Sequence, residues 1–311
     1  GTLRRRIMVE TGETDFTAEK ISARPEDLIS AAAMEKLVDV ARREKAPEDL
    51  LRSTGMDLLA QLGVLQEGQL TRAGVLLAGT ESALSRFVPG YSWTHLRMKG
   101  DTRYTDRADG KDALPIAFER IRDRINADNP IFTLEHGLFH FEYRTYPEIA
   151  LREAIANALC HTDFRIAGAI LAKQYPEKLE ISNPGGFIAG ITPENILHHP
   201  PAARNPLLVD AMAKLRIVNR SNLGIGRMFE ALLIEGKEPP LINESGDSVT
   251  LTFVRREFSK EFRLFVADES KNGRLLSVDQ LLVLQHLLAH QEIDSATAAR
   301  ICQRSEPGAR G

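Results

Sequence analysis

The segment from Thr145 to Phe164, TYPEIALREAIANALCHTDF, constrains the fold of this chain more than any other. Its apolar residues recur at the i, i+3, i+4, i+7, i+8 spacing that covers one side of an α-helix. These residues are Leu151, Ala154, Ile155, Ala158 and Leu159. Because Thr145 and Glu148 have the spacing of a capping box, we predict that the helix begins near Tyr146.

A polar stripe lies on the same predicted helix. Glu153, Asn157 and His161 follow one another at helical spacing, so they rise one above another. A carboxylate can take a proton from water and an amide oxygen can hold a cation, which is what a metal–nucleotide site needs. The alternative is a solvated polar face. His161 either contacts Asp163, a phosphate or a metal, or it complements the end of the helix dipole.

The composition is that of an ordinary soluble globular protein. Of 311 residues, 43% are hydrophobic and 27% are charged, and the net charge is −3. This balance excludes a globally basic chain, so any DNA-binding element must be local. No apolar run approaches the roughly 20 residues of a membrane span, and no secretory signal is recognisable, so we expect no membrane contact. The length favours two or three domains.

Neither the cysteines nor the adjacent histidines have the spacing of a metal site. We predict that Cys160 and Cys302 are buried thiols of a protein in a reducing cytoplasm. His198 and His199 have no third ligand nearby, which favours an exposed loop.

The order of patterns along the chain predicts an α/β (α+β) sandwich, with helices on one face of a mixed, mostly antiparallel sheet. A helical segment occupies residues 21–88, with helices at 25–45 and 47–63. The later elements are a strand from Tyr91, a polar loop at 101–112, a helix at 114–127, a strand from Leu138, a hairpin of 169–174 with 178–182, helices from Thr192, Pro206 and Arg227, and a strand at 248–256.

The domain boundaries follow from the changes between helical, alternating and charged patterns along the chain. We predict a tail of a preceding domain at 1–20, the helical segment at 21–88, the sandwich at 89–258, a charged linker at 259–274 and a partial winged helix at 275–311. The start, GTLRRR, and the end, EPGARG, suggest a fragment of a longer chain.

Three motifs recur in an order that resembles a known ATP-binding fold. They are Glu153-Ala-Ile-Ala-Asn157, Asn183-Pro-Gly-Gly186 and Asn222-Leu-Gly-Ile-Gly-Arg227. The order is similar to the GHKL (Bergerat) fold of gyrases, histidine kinases and mismatch-repair ATPases. The stretch REAIANALCHTDF resembles, more closely, bacterial Schlafen/AlbA-type transcriptional regulators that are often labelled RecG-like. The resemblance covers about residues 45–255, and it implies that residues 1–20 are the tail of an AlbA-type domain.

The resemblance implies ATP and Mg²⁺ as ligands. Glu153 would be the catalytic base that orients the attacking water, and Asn157 would hold Mg²⁺ against the phosphates. A magnesium ion that bridges phosphate oxygens needs only one or two protein ligands, so a single Asn suffices.

Two glycine-rich segments would complete the nucleotide site. Gly224 and Gly226 would offer backbone amides to phosphate at the start of a helix that begins at Arg227. Arg227 and Arg204 either clamp phosphate or form surface salt bridges.

The second motif would bind the base. Gly185 and Gly186 would let the backbone approach the nucleotide closely. The family has an Asp in a D-x-G-x-G strand end, where this chain has Ser182 or Asn183, and Phe187 replaces the second Gly. Asn183 can still accept a hydrogen bond from the adenine amino group.

The family resemblance implies a transcriptional regulator, with flanking domains that bind DNA and a module that senses nucleotide or supports a homodimer. The alternative is a Mg-dependent ATPase that drives conformational change on DNA. The chain contains no GxxxxGK[ST] phosphate-binding loop, so a P-loop helicase motor is not indicated.

Overall fold

The computed structural model describes residues 15–136, 139–218, 223–255 and 259–308. Its strands are β1 (Leu65–Gln66), β2 (Gln69–Leu70), β3 (Tyr91–Met98), β4 (Tyr104–Gly110), β5 (Ile131–His136), β6 (Phe139–Arg144), β7 (Gly168–Gln174), β8 (Lys178–Pro184), β9 (Leu241–Ser245) and β10 (Ser248–Val254). Its helices are α1 (Ala31–Arg43), α2 (Glu48–Arg52), α3 (Gly55–Leu62), α4 (Arg72–Ala78), α5 (Glu81–Phe87), α6 (Leu114–Asn126), α7 (Glu148–His161), α8 (Pro206–Lys214), α9 (Leu223–Leu233), α10 (Lys260–Lys271), α11 (Val278–Ala289) and α12 (Ser295–Ile301).

A mixed sheet of 6 strands, in the order β4-β3-β7-β8-β10-β9, organises the chain. Only the β3–β7 pair is parallel among its described pairings, with Tyr91 opposite Gly168. One face is buried, and its residues alternate along the strands as a half-buried sheet requires: Tyr91, Trp93, Ile170, Ala172, Leu179, Ile181, Leu251 and Phe253. The predicted mixed, mostly antiparallel α/β fold is therefore confirmed.

Helix α7 packs against β8, α6 and α9 at the centre of the molecule. Its predicted apolar stripe is fully buried, from Leu151 to Leu159. The predicted capping box is wrong, because the helix begins at Glu148 and Pro147 takes the N-cap position without a side-chain bond. Asn129 holds the preceding segment instead, since its Oδ1 accepts from the backbone N–H of Tyr146 at 2.8 Å.

Some predicted boundaries were wrong for identifiable reasons. The predicted loop at 101–112 contains β4, an edge strand whose Arg107 and Asp109 pair in solvent at 2.7 Å instead of alternating with apolar residues. The predicted helix from Thr192 is a series of turns, because Asn195 accepts from the N–H of Thr192 and donates to the carbonyl of Gly190.

Helix boundaries differ elsewhere as well. The helix predicted over 25–45 is a 3₁₀ turn, Pro25–Asp27, followed by α1 with Ser30 as its N-cap. The helix predicted over 47–63 is two helices, α2 and α3. The predicted linker at 259–274 contains helix α10, which Ser259 caps.

Strands β5 and β6 form a separate antiparallel hairpin. The predicted tail at 1–20 lies mostly outside the described residues, as does Asn222. Within the described ranges, no helix combines the length and the apolar character needed to cross a membrane.

Candidate functional site

A cleft of about 390 Å³ lies beside the polar stripe of α7. Its walls come from α7, the end of β8, helix α9 and the segment of residues 187–204, which we call the cleft loop. All the predicted site residues line this cleft except Gly226 and Arg227: they are Glu153, Asn157, Asn183, Gly185, Gly186 and Gly224. Residues far apart in sequence therefore meet in one place, while their roles stay predictions.

Glu153 lies where α7 meets α9. Its side chain is only 12% exposed, and Arg227 Nη1 lies 3.5 Å from its Oε1. A methyl group at Gly224 would come within 2.7 Å of Glu153 Oε2, so the absent side chain at Gly224 makes room for this carboxylate. Burial raises the pKa of Glu153, although the charges of Arg227 and Arg152 oppose the shift. A carboxylate with a raised pKa is a stronger base than an exposed one.

Asn157 stands one turn beyond Glu153 on α7. It is half-buried, and its Nδ2 is buried without a hydrogen-bond partner among the described residues. An amide oxygen is a hard ligand of the kind that Mg²⁺ accepts. In the described part of the chain, no three His, Cys, Asp or Glu side chains converge on a metal position. A magnesium ion here would therefore take most of its ligands from phosphate and water.

The glycines after β8 contact protein side chains closely. Gly185 has a φ of +99°, and a methyl group there would lie 2.9 Å from Asp163 Cβ and 3.2 Å from Arg204 Nε. At Gly186 a methyl group would meet Glu244 Oε1 at 2.2 Å. The need for glycine is therefore explained by packing within the chain, whether or not a nucleotide approaches the backbone.

Of the two candidates at the end of β8, Asn183 and not Ser182 lines the cleft. It is buried, it lies on the same strand face as Ile181 and it lines the cleft, whereas Ser182 lies on the opposite face. Its Nδ2 donates to the carbonyl of Pro184 at 3.1 Å, which leaves Oδ1 as an acceptor. Phe187 also lines the cleft, and its backbone N–H donates to Glu244 at 2.8 Å.

His161 lines the cleft near the β8 end. Burial, helped by the nearby charge of Arg204, lowers its pKa to about 4. A neutral ring at neutral pH does not favour the alternative in which His161 complements the helix dipole as a cation, although it lies in the last turn of α7. Asp163 pairs with Arg165 and Arg204, and among the described residues no hydrogen bond joins it to His161.

Sequence reasoning missed a buried ion cluster beneath the β8 end. Asp163 accepts from Arg165 Nε at 2.7 Å and from Arg204 Nη1 at 3.3 Å, and Arg204 Nη2 donates to the carbonyl of Gly186 at 2.6 Å. Burial alone would raise the pKa of Asp163, but the Arg165 hydrogen bonds and the charge of Arg204 hold it below its usual range. The spacing of Asp163 and Arg165 is a weak local signal. The sequence suggested Arg204 only as a phosphate clamp or a surface salt bridge, and nothing in it indicates the buried pairing with Asp163.

Two predicted details of the site require correction. Helix α9 begins at Leu223 and not at Arg227, so Gly224 and Gly226 lie within its first turn. A methyl group at Gly226 would meet no heavy atom within 4 Å, so this glycine has no packing role. Arg227 is 49% exposed and contacts Glu153 from outside the cleft lining.

The segment that bears the β8 end and α9 matches a known family. Residues 169–253 match a family model described as "Putative ATP-dependent DNA helicase recG C-terminal". This part of the chain resembles the RecG C-terminal ATPase-like domain. The resemblance spans β7 to β10, so it includes Asn183, Gly186 and Gly224 but not α7.

A solved structure resembles the whole chain. The DIP2311 protein from Corynebacterium diphtheriae superposes with a TM-score of 0.79 at 26% sequence identity. The match covers 96% of this chain, which spans only 59% of that protein's chain. No curated protein matches the sequence.

Proposed function

We propose that the cleft binds a nucleoside triphosphate, with its phosphates at the α9 end and its base at the β8 end. One observation carries the proposal. A single cleft brings the Glu153 carboxylate and the Asn157 amide to the first turn of α9, and it places Asn183 at the end of β8.

The α9 end suits phosphate. The first N–H groups of an α-helix have no acceptor within the helix, and the helix dipole places partial positive charge there. Gly224 belongs to this first turn and lines the cleft. Arg227, half-exposed beside Glu153, adds a cation at the same end. A triphosphate would thus meet backbone donors and a guanidinium together.

The β8 end suits a base. Most of its lining is apolar, including Ile181, Phe187 and Ile188, and such surfaces accept a flat ring. The guanidinium of Arg204 is committed to Asp163 and Gly186. The Oδ1 of Asn183 supplies an acceptor for an exocyclic amino group, which favours adenine.

The residues present fit a magnesium–nucleotide complex, in which the ion would neutralise charge that develops on the phosphates. Asn157 would hold the ion through its amide oxygen. Glu153 would orient a water molecule and take its proton at the carboxylate, and the raised pKa of Glu153 favours hydrolysis as a second candidate activity. Arg227 Nη1, 3.5 Å from Glu153 Oε1, would help to orient this carboxylate.

Binding and turnover can be separated with two variants of the 311-residue chain. We would measure binding of a non-hydrolysable ATP analogue with Mg²⁺, and phosphate release from ATP, for wild type, Glu153→Gln and Asn157→Ala. Glu153→Gln should keep binding and lose phosphate release by about 10²- to 10⁴-fold, whereas Asn157→Ala should weaken the Mg-dependent part of binding.

Glu230→Gln is the matched control, because Glu230 is an exposed glutamate of α9 that does not line the cleft. It should behave as wild type. If wild type neither binds the analogue nor releases phosphate, the cleft is a scaffold and the proposal fails. If binding persists without release in wild type, the module senses nucleotide and does not hydrolyse it.

We further propose that this module belongs to a DNA-binding regulator, as the sequence resemblance implies. The pair α11 and α12 supports the idea, since it has the helix–turn–helix order of the first part of a winged helix. A mobility shift with the full-length protein at two salt concentrations tests it, because phosphate contacts make DNA affinity fall steeply with salt. Absence of any shift at low salt would refute the regulator role.

A further inference from the structure

The cleft loop contacts a distant part of the chain. We define the C-terminal unit as residues 277–304, which contain α11 and α12. We propose that Gln303 of this unit is a positioning residue that fixes the cleft loop, so that docking of the unit sets the affinity of the cleft. The affinity part of this inference rests on the proposed function.

Gln303 uses both ends of its amide on the cleft loop. Its Oε1 accepts from the backbone N–H of Leu197 at 2.8 Å, and its Nε2 donates to the carbonyl of Pro193 at 2.9 Å. The two partners stand at opposite ends of the turns that follow Thr192. The backbone bonds of these turns are local, such as the one from the N–H of Ile196 to the carbonyl of Thr192, so Gln303 supplies bonds that tie them to a distant part of the chain.

The backbone of Gln303 is itself unusual. Its φ is +53°, and it follows directly on Cys302, the C-cap of α12. This left-handed position after a helix is ordinarily occupied by glycine, because a side chain there is strained. A long amide at such a position is explained if the side chain makes contacts that a glycine lacks. The observed bonds to Leu197 and Pro193 are such contacts.

A second set of contacts joins the same two segments. His198 Nε2 donates to the carbonyl of Cys302 at 2.9 Å and lies 3.6 Å from Asp279 Oδ1. Asp279 is in turn paired with Arg304 Nε at 3.0 Å. The loop is thus fixed to the start of α11 and to the end of α12 together.

The C-terminal unit contacts two walls of the cleft. The cleft loop supplies lining residues from Phe187 to Arg204. On the other wall, α11 packs against α9 and buries Leu281 and Leu282. A ligand that shifts either wall must change its contacts with the C-terminal unit. By reciprocity, a change in docking of the unit must then change ligand affinity.

The test starts at one backbone amide in the complete 311-residue chain. The N–H of Leu197 bonds directly to Gln303, so its hydrogen-exchange rate reports this contact. Gln303→Met keeps the side-chain length and removes both bonds, whereas Gln303→Glu keeps the acceptor for Leu197. We expect exchange at Leu197 to accelerate about tenfold in Gln303→Met, the change that one hydrogen bond of typical net strength gives. Gln303→Glu should show less acceleration.

Gln291→Met is the matched control, because Gln291 is an exposed glutamine between α11 and α12. It should leave exchange at Leu197 unchanged. The second readout is the association rate and the affinity of a non-hydrolysable ATP analogue with Mg²⁺. Both should change severalfold in Gln303→Met and recover towards wild type in Gln303→Glu. Saturating analogue should, reciprocally, alter exchange at Leu197.

Each outcome decides the inference. Unchanged exchange in Gln303→Met shows that Gln303 does not hold the loop. Faster exchange with unchanged analogue binding shows that the loop position does not set affinity. The bonds from Gln303 to the cleft loop would then have a structural role only. If wild type binds no analogue, the proposed function and the coupling fall together, while the exchange rates still decide whether Gln303 fixes the loop.

Discussion

Two glycines in the first turn of α9 offer a direct test of how Glu153 is positioned. Replacing glycine by alanine within a helix stabilises it by up to about 1 kcal/mol, because the unfolded chain loses freedom. Gly226→Ala should gain this amount, since its methyl group meets no heavy atom within 4 Å. At Gly224 the methyl group would lie 2.7 Å from Glu153 Oε2, so the carboxylate must move.

The cost of that movement sets the expected difference. The clash is with the end of a flexible side chain, so Glu153 leaves its rotamer and the backbone need not shift. An off-rotamer side chain and a weakened contact with Arg227 cost about 1 kcal/mol. Gly224→Ala should therefore have nearly the wild-type free energy of unfolding, and Gly226→Ala should be the more stable of the two.

Urea denaturation measures the stabilities, and phosphate release with analogue binding measures the consequence at the site. If wild type hydrolyses ATP, Gly224→Ala should lose release at least tenfold, because the base is displaced, and Gly226→Ala should keep it. Equal stabilisation of the two variants would show that Glu153 does not occupy the space above Gly224, and the geometry of the site would then be wrong.

Three further outcomes follow from the charges and thiols around the cleft. The pKa of His161 is about 4 in the folded protein and 6.5 in the unfolded chain. Between pH 4 and pH 6.5 the imidazole is therefore protonated in the unfolded chain but not in the folded protein. The free energy of unfolding should fall by up to about 3 kcal/mol as the pH drops from 6.5 to 4, less what water in the cleft screens, and His161→Phe should flatten that dependence in urea titrations. Asp163→Asn should cost about 3 kcal/mol in the same assay at pH 7, since the buried Arg204 loses its carboxylate; a cost below 1 kcal/mol would contradict the ion cluster. Burial raises the pKa of Cys160 to about 12 and that of Cys302 to about 11, so a thiol reagent should label both only as fast as the protein unfolds, and rapid labelling of the native protein would disprove their burial.

What the sequence predicted correctly depends on local repetition. The stripe of α7 and the β7–β8 hairpin were predicted because the spacing of apolar residues reports directly which side is buried. The spacing of Glu153 and Asn157 also predicted that they share one face of the helix, and in the structure both line the cleft. Their roles with a nucleotide stay predictions.

What the sequence concealed depends on partners that lie far along the chain. Strand β4 lacks apolar alternation because it is an edge strand, so its pattern resembles a loop. Gly224 and Gly226 suggested a break before α9, yet both lie inside the helix. Gly224 is explained by a partner far along the chain, because Glu153 occupies the space that a side chain there would need. The bonds of Arg204 to Asp163 and of Gln303 to Leu197 join segments that no periodicity relates.

The packing of α7 has a consequence for how the chain can be divided. The segment that resembles the RecG C-terminal domain, residues 169–253, contributes strands β7 to β10 of the sheet but not the helix that packs on β8 and α9. Cut out alone, this segment would lose the helix that packs on β8, where Ile181 is buried, and with it part of the core on which cooperative folding depends. The segment that matches the family model is therefore shorter than the segment needed for a complete hydrophobic core. Any useful deletion series must keep α7, and with it Glu153 and Asn157.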